Sequence, residues 1–206
     1  ISKYNGGGNV DEVLDRIQSE IEQINIPFTA ANGSILLVIF EEQSSYHLIN
    51  RSVLIEQFVD INLRKGSFDQ SRRETFDYKN KTSLLAHIAG WMAKENKYSV
   101  DISEVQKVMR DYVVRISLNV DTFNLLNEFM SVRIFVKKAG ERLTFRYRAV
   151  LEYFISLEMF NDPNFKAWVM EESRYLSFLN ELQYYAGRLR NDTEMLEVVS
   201  VRFFEI

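Results

Sequence analysis

The sequence predicts a mainly α fold in which a run of helices is interrupted once by a small β-hairpin. Three observations carry this. Only 8 Gly and 2 Pro occur among 206 residues, so the chain is poor in helix breakers. Apolar residues recur at three- and four-residue spacing over most of its length. Two short β-type runs, 132–136 and 143–147, flank a turn containing Gly140. With 46% hydrophobic residues, including 15 Phe and 10 Tyr, there is ample material for a large core.

A first helix is expected over 10–23, because Asn9 can cap it, Glu12 stands three residues on, and Val10, Val13, Leu14, Ile17, Ile21 and Ile24 fall on one face. Pro27 breaks the pattern: it has no N–H to donate and drives Ile26 into an extended conformation. The next helical core, 34–43, is apolar nearly all round and so reads as buried. Asn50 caps a third helix through Leu54, Phe58, Ile61 and Leu63 that ends near Gly66. The polar stretch 67–75 reads as a linker. A helix over 83–96 follows, then an extended segment over 98–102, a helix from Asp101 or Ser103 to about Ile116, and another over 121–130. The hairpin comes next, with 137–142 as its turn. Helix, short strand, helix, helix, hairpin is the order of a winged helix. A helix over 148–160 stops at Asp162 and Pro163, which cap and open the next one. Two or three further helices fill the rest, and 173–206 could begin a helical array.

Composition narrows the chemistry. There is no Cys, hence no disulfide, thiolate metal site or thiol nucleophile, and a cytoplasmic location is expected. The longest fully apolar run, 35–40, is too short to cross a bilayer, so no membrane partner is expected. Gly6, Gly7, Gly8 and Asn9 precede a helix start but lack the Lys-Ser/Thr that completes a phosphate-binding loop. They read as a connector. His47 and His87 are the only histidines and have no partner at metal-ligand spacing, so no metal site is expected. The acidic pairs Glu41/Glu42 and Glu171/Glu172 read as solvated helix faces. No catalytic residue is assigned, and the chain by itself is not expected to be an enzyme. The helix over 121–130 would enter the major groove of DNA, yet it carries two acids and no Lys or Arg; Lys137, Lys138 and Arg142 lie instead on the wing. A DNA-binding winged helix and a helical protein-interaction module are therefore alternatives, with DNA disfavoured.

From the end of the hairpin the chain reads Phe145, Arg146, Tyr147, Arg148, Ala149, Val150, Leu151, Glu152, Tyr153, Phe154. This resembles the winged-helix domain of NACHT-type STAND signalling ATPases, whose pattern is Phe-x-His-x-x-x-x-Glu-Phe/Tyr-Phe/Leu-x-Ala. Phe145, Glu152, Tyr153 and Phe154 match in order and spacing, while the family's histidine position is Tyr147, whose hydroxyl can still donate a hydrogen bond. Pro27, opening an apolar helix, is similar to the proline that starts the helical lid of the same family. The resemblance covers roughly residues 10–165. It implies a division into the end of an NTPase core or a linker helix (1–25), a helical lid and linker (26–75), a winged helix (76–160) and the start of a sensor or repeat region (161–206). It also implies nucleotide contacts by Pro27 at the adenine and by Arg146, Tyr147 and Arg148 at the phosphates, with ATP or ADP and Mg bound in a parent protein. An upstream P-loop core, a downstream sensor and homo-oligomerisation on activation are the implied partners. The expected role is ligand-triggered, nucleotide-gated signalling, as in innate or antiphage defence. A first residue of Ile rather than Met fits a fragment of such a protein.

Overall fold

A computed structural model describes residues 10–24, 26–42, 50–66 and 76–188. The expected linker 67–75, the glycine-rich opening, His47 and residues 189–206 lie outside the described residues.

Helices α1 (Val10–Gln23), α2 (Ala30–Glu42) and α3 (Arg51–Gly66) come first. α1 and α3 have the expected bounds, and the Asn50 side chain accepts a hydrogen bond from Val53 N–H at 3.0 Å, closing the α3 N-terminus. α2 begins four residues before the apolar core expected over 34–43, because Thr29 Oγ1 accepts from Asn32 N–H at 3.2 Å and brings Ala30 into the first turn. Ile35, Leu36 and Ile39 on α2 are fully buried. α4 (Tyr78–Lys94) also starts earlier than expected. Asp77 caps it by accepting from Asn80 N–H at 2.8 Å, and its first turns bury Lys81 and Thr82, a polar pattern that does not announce itself as helical.

Strand β1 (Val100–Asp101) leads into α5 (Ile102–Arg115), where Glu104 Oε2 accepts from Asp101 N–H. α6 (Thr122–Ser131) is capped by Asp121, which accepts from the N–H groups of Phe123 and Asn124. The hairpin is β2 (Phe135–Lys138) and β3 (Arg142–Phe145). Both strands start later or end earlier than expected. Val132 and Ile134 are β-branched and read as strand, but they complete the turn after α6: Val132 N–H bonds Glu128 O, Arg133 takes φ +59, and Ile134 N–H bonds Phe129 O. Lys137 and Lys138, expected in the turn, therefore belong to β2. The turn is tightened by Gly140 at φ +73, where a glycine carries no steric penalty. β3 lies between β1 and β2, antiparallel to both, pairing Val100 with Leu143 and Phe135 with Phe145. The order α4, β1, α5, α6, β2, β3 agrees with the expected succession of helix, short strand, two helices and hairpin, and β3 is central in the three-stranded antiparallel sheet.

α7 (Arg148–Asn161) follows, then α8 (Pro163–Val169), a 3-10 turn (Tyr175–Phe178) and α9 (Leu179–Arg188). Asp162 caps α8 with Pro163 at its first position, as expected. Glu171 and Glu172 fall in a turn after α8 rather than on a helix, and Glu171 pairs with Arg174 at 2.7 Å. α7 is the centre of the molecule. Every residue from Val150 to Met159 is buried, and the helix packs against α4, α9, α8, α3 and β3. It approaches α4 closely at Gly90, where an added Cβ would lie 2.7 Å from Glu158 Cγ. Each fully buried large side chain here, such as Phe154 or Tyr153, contributes about 2–3 kcal/mol by leaving water.

Candidate functional site: the start of helix α7

Strand β3 runs into α7 through Arg146 and Tyr147, so residues 146–148 sit at the helix N-terminus. Arg146 N–H bonds Ile134 O at 2.9 Å, which fixes the bend. Tyr147 is the N-cap, extended at φ −121, ψ 140, and its side chain makes no capping bond. Its ring is half-buried, edge-on to Phe58 with centroids 5.7 Å apart, and the exposed Arg146 guanidinium lies over it at 5.2 Å. Arg148 lies over the Tyr98 ring at 5.3 Å and donates from Nε to Glu152 Oε1 at 2.9 Å. That bond raises the Arg148 pKa further above its ordinary value.

Glu152 is the node of this region. Its side chain is 3% exposed, and it accepts from three helices: from Arg148 one turn back, from Arg51 on α3 at 3.3 Å and from Asn180 on α9 at 3.1 Å. A carboxylate so deeply buried is tolerated because its lone pairs are occupied by charged and amide donors. The Arg51 guanidinium also lies over the Tyr184 ring at 4.8 Å. Beside them, burial pushes the Glu181 carboxyl up to about 7; the Glu152 charge adds to the rise, while its own backbone N–H, Arg148 and Arg51 oppose it. Burial likewise raises the Tyr184 hydroxyl.

Pro27 is exposed and lies elsewhere, in a cleft of about 370 Å³ lined also by Ile26, Asn50, Arg51, Tyr184 and Gly187. α3 and α9 meet closely behind it: Ser52 Oγ donates to Tyr184 O at 3.1 Å, and a Cβ on Gly187 would fall 2.5 Å from Ser52 Oγ. The structure thus brings Arg146, Tyr147 and Arg148 together and leaves Pro27 apart. Arg51 joins the two regions, since it lines the Pro27 cleft and binds the same carboxylate as Arg148. Arg51, Asn180, Glu181 and Tyr184 were not singled out from the sequence, and only Glu152, through its motif, pointed to this place.

Chemically the α7 start suits an anion. The positive end of the helix dipole is there, no side chain caps it, and Arg146 and Arg148 flank it. His87 has a structural setting instead: Nδ1 lies 3.1 Å from Glu158 Oε1 and the ring tilts against Tyr112 at 5.1 Å. Among the described residues no group of three His, Cys, Asp or Glu could hold a metal, and no helix is long and apolar enough to cross a membrane.

Residues 98–155 match the family model described as Novel STAND NTPase 4. This is somewhat over a quarter of the chain, running from the turn before β1 to the middle of α7, and it includes Phe145, Glu152, Tyr153 and Phe154. Over that stretch the chain is similar to STAND NTPases. Neither a curated protein nor a solved structure matches it.

Proposed function

We propose that this chain is the regulatory part of a NACHT-like STAND ATPase, in which residues 26–75 form a helical lid and linker and 76–160 a winged helix. On this reading 1–25 end the NTPase core or link to it, and 161–206 begin a sensor. The observation that carries the reading is the coincidence of the family match with the sheet and the first half of α7. The matched motif divides physically: Phe145, Tyr153 and Phe154 are core, Glu152 ties three helices together, and residues 146–148 remain at the surface.

The phosphates of ADP, held mainly by a P-loop core that these 206 residues do not contain, face the α7 N-terminus. Arg146 and Arg148 supply charge and the Tyr147 hydroxyl a hydrogen bond, where the family uses histidine. Pro27 packs near the adenine, and Mg accompanies the nucleotide in the core. ADP then bridges core and winged helix in a closed monomer. A trigger recognised downstream favours opening, exchange for ATP and homo-oligomerisation, and it must bind the open state more tightly by several kcal/mol to reverse a strongly closed population. Signalling in innate or antiphage defence, in the cytoplasm, is the setting this implies.

The test is substitution in the full-length parent. Tyr147→Phe and Arg148→Ala are expected to speed ADP loss and cause trigger-independent activity, measured by nucleotide release and by assembly on size exclusion. Retention and assembly like the unsubstituted protein would contradict the assignment. The DNA reading gains no support from α6, whose exposed side chains include Phe123 and Asn124 but no Lys or Arg.

A further inference from the structure

Charge is strongly segregated in this protein. Residues 133–148 hold Arg133, Lys137, Lys138, Arg142, Arg146 and Arg148 against Glu141, a balance of +5, so the remainder of a chain at −4 carries −9. All six cations are exposed. By strand alternation Phe135, Leu143 and Phe145 face the core, while Val136, Lys138, Arg142 and Thr144 lie on the other face with Arg146 continuing their row; Lys137 has the core-side parity, is exposed at the hairpin end and pairs with Glu141. Lys138 stands directly opposite Arg142, a like-charge pair that costs stability; Arg142 turns toward β1, where it donates to Ser99 Oγ and Ser99 O and lies 3.7 Å from Asp101. Arg146 follows about 13 Å along the strand, and Arg133 is exposed in the turn that precedes β2. Lys138, Arg133 and Arg146 have no ion-pair partner among the described residues. At the end of the row the Tyr98 ring is 51% exposed, one face covered by Arg148, and Tyr98 O accepts from Thr144 Oγ1 at 2.8 Å, which fixes the ring's backbone on this surface.

We propose that this outer sheet face binds single-stranded nucleic acid, the row of cations tracking the phosphates and Tyr98 stacking on a base. A duplex groove reader would use α6, which has no cation. An acidic peptide would satisfy the charges but leave the Tyr98 ring without a role, whereas single strands use both. The inference goes beyond the nucleotide latch, with which it shares Arg146, and its test therefore reads Lys138, Arg133 and Tyr98.

The test is fluorescence anisotropy of labelled oligothymidylate and oligouridylate with the 206-residue protein. Binding at low salt is expected to weaken with a log-log salt slope of about −2 to −3, corresponding to three or four neutralised phosphates. Lys138→Glu with Arg133→Glu, both away from the nucleotide contacts, should lower affinity at least about tenfold with unchanged circular dichroism, and Lys138→Gln alone should lower it less. Tyr98→Ala should cost about tenfold for the oligonucleotides. No binding at low salt, or affinity indifferent to the charge reversals, would overturn the proposal. So would competition by polyglutamate as effective as that by the oligonucleotide, which would assign the face to an acidic protein segment.

Discussion

Removing the Glu152 carboxylate tests how α3, α7 and α9 are held together. In Glu152→Gln the side chain keeps its shape and burial, but one oxygen becomes an NH2 that cannot accept from Arg51 or Arg148. The bonds at stake are those from Arg148 at 2.9 Å, Arg51 at 3.3 Å and Asn180 at 3.1 Å. Hydrogen bonds to charged groups contribute about 1.5–3 kcal/mol each when buried. Arg148 is 67% exposed and Arg51 32%, so both regain water on release, and Arg148, an i,i+4 partner, counts for only about 0.5 kcal/mol. The remaining amide oxygen can keep Asn180, so the expected loss is about 2–3 kcal/mol, most of it through Arg51, whose acceptor is the other oxygen. At 206 residues this lowers Tm by about 5–10 °C. Urea denaturation should show the change in midpoint with an unchanged slope. A double-mutant cycle should give a larger coupling between Glu152 and Arg51 than between Glu152 and Arg148. A Glu152→Gln protein within about 0.5 kcal/mol of the parent, or the reverse order of couplings, would refute the argument.

Two other substitutions follow from the same packing. Because the Glu181 pKa is raised from 4.5 to about 7 in the folded state, the native protein holds that proton more tightly, and stability should fall as pH rises from about 4.5 to about 7. The fall is roughly 2 kcal/mol once solvent screening at the cleft is allowed for; Glu181→Gln should flatten this part of the stability profile in urea titrations, and an unchanged profile would contradict the assignment. Gly90→Ala places a methyl 2.7 Å from Glu158 Cγ and should destabilise by about 1–3 kcal/mol through forced separation of α4 and α7; thermal unfolding measures this, and adding Glu158→Ala should recover part of the loss.

The fold was largely legible because its signals are local. Asn50, Asp162 and Pro163 are caps or breaks whose effect reaches only a few residues, and the α1 periodicity needs no tertiary information. The misplacements have tertiary causes. Val132 and Ile134 have strand propensity, but the core takes both from a turn, at the expense of a left-handed Arg133 that no Gly or Asn announces. The start of α4 is obscured by buried Lys81, which reaches Glu128 on α6, 47 residues away, at 2.6 Å. The site follows the same rule. Residues 146–148 and Glu152 were legible as candidates because a local motif contains them. Arg51 and Asn180 are 101 and 28 residues from Glu152, and nothing in their own neighbourhoods marks them as its partners.

The nucleotide latch is tested most directly by the nucleotide content of the full-length parent beside that of this 206-residue chain, each denatured and its released nucleotide separated by chromatography. The account expects near-stoichiometric ADP from the parent and none from the chain alone, since on the proposed reading a P-loop core and the α7 start hold the phosphates together. A parent purified without nucleotide, and unable to take up ADP with Mg, would contradict it.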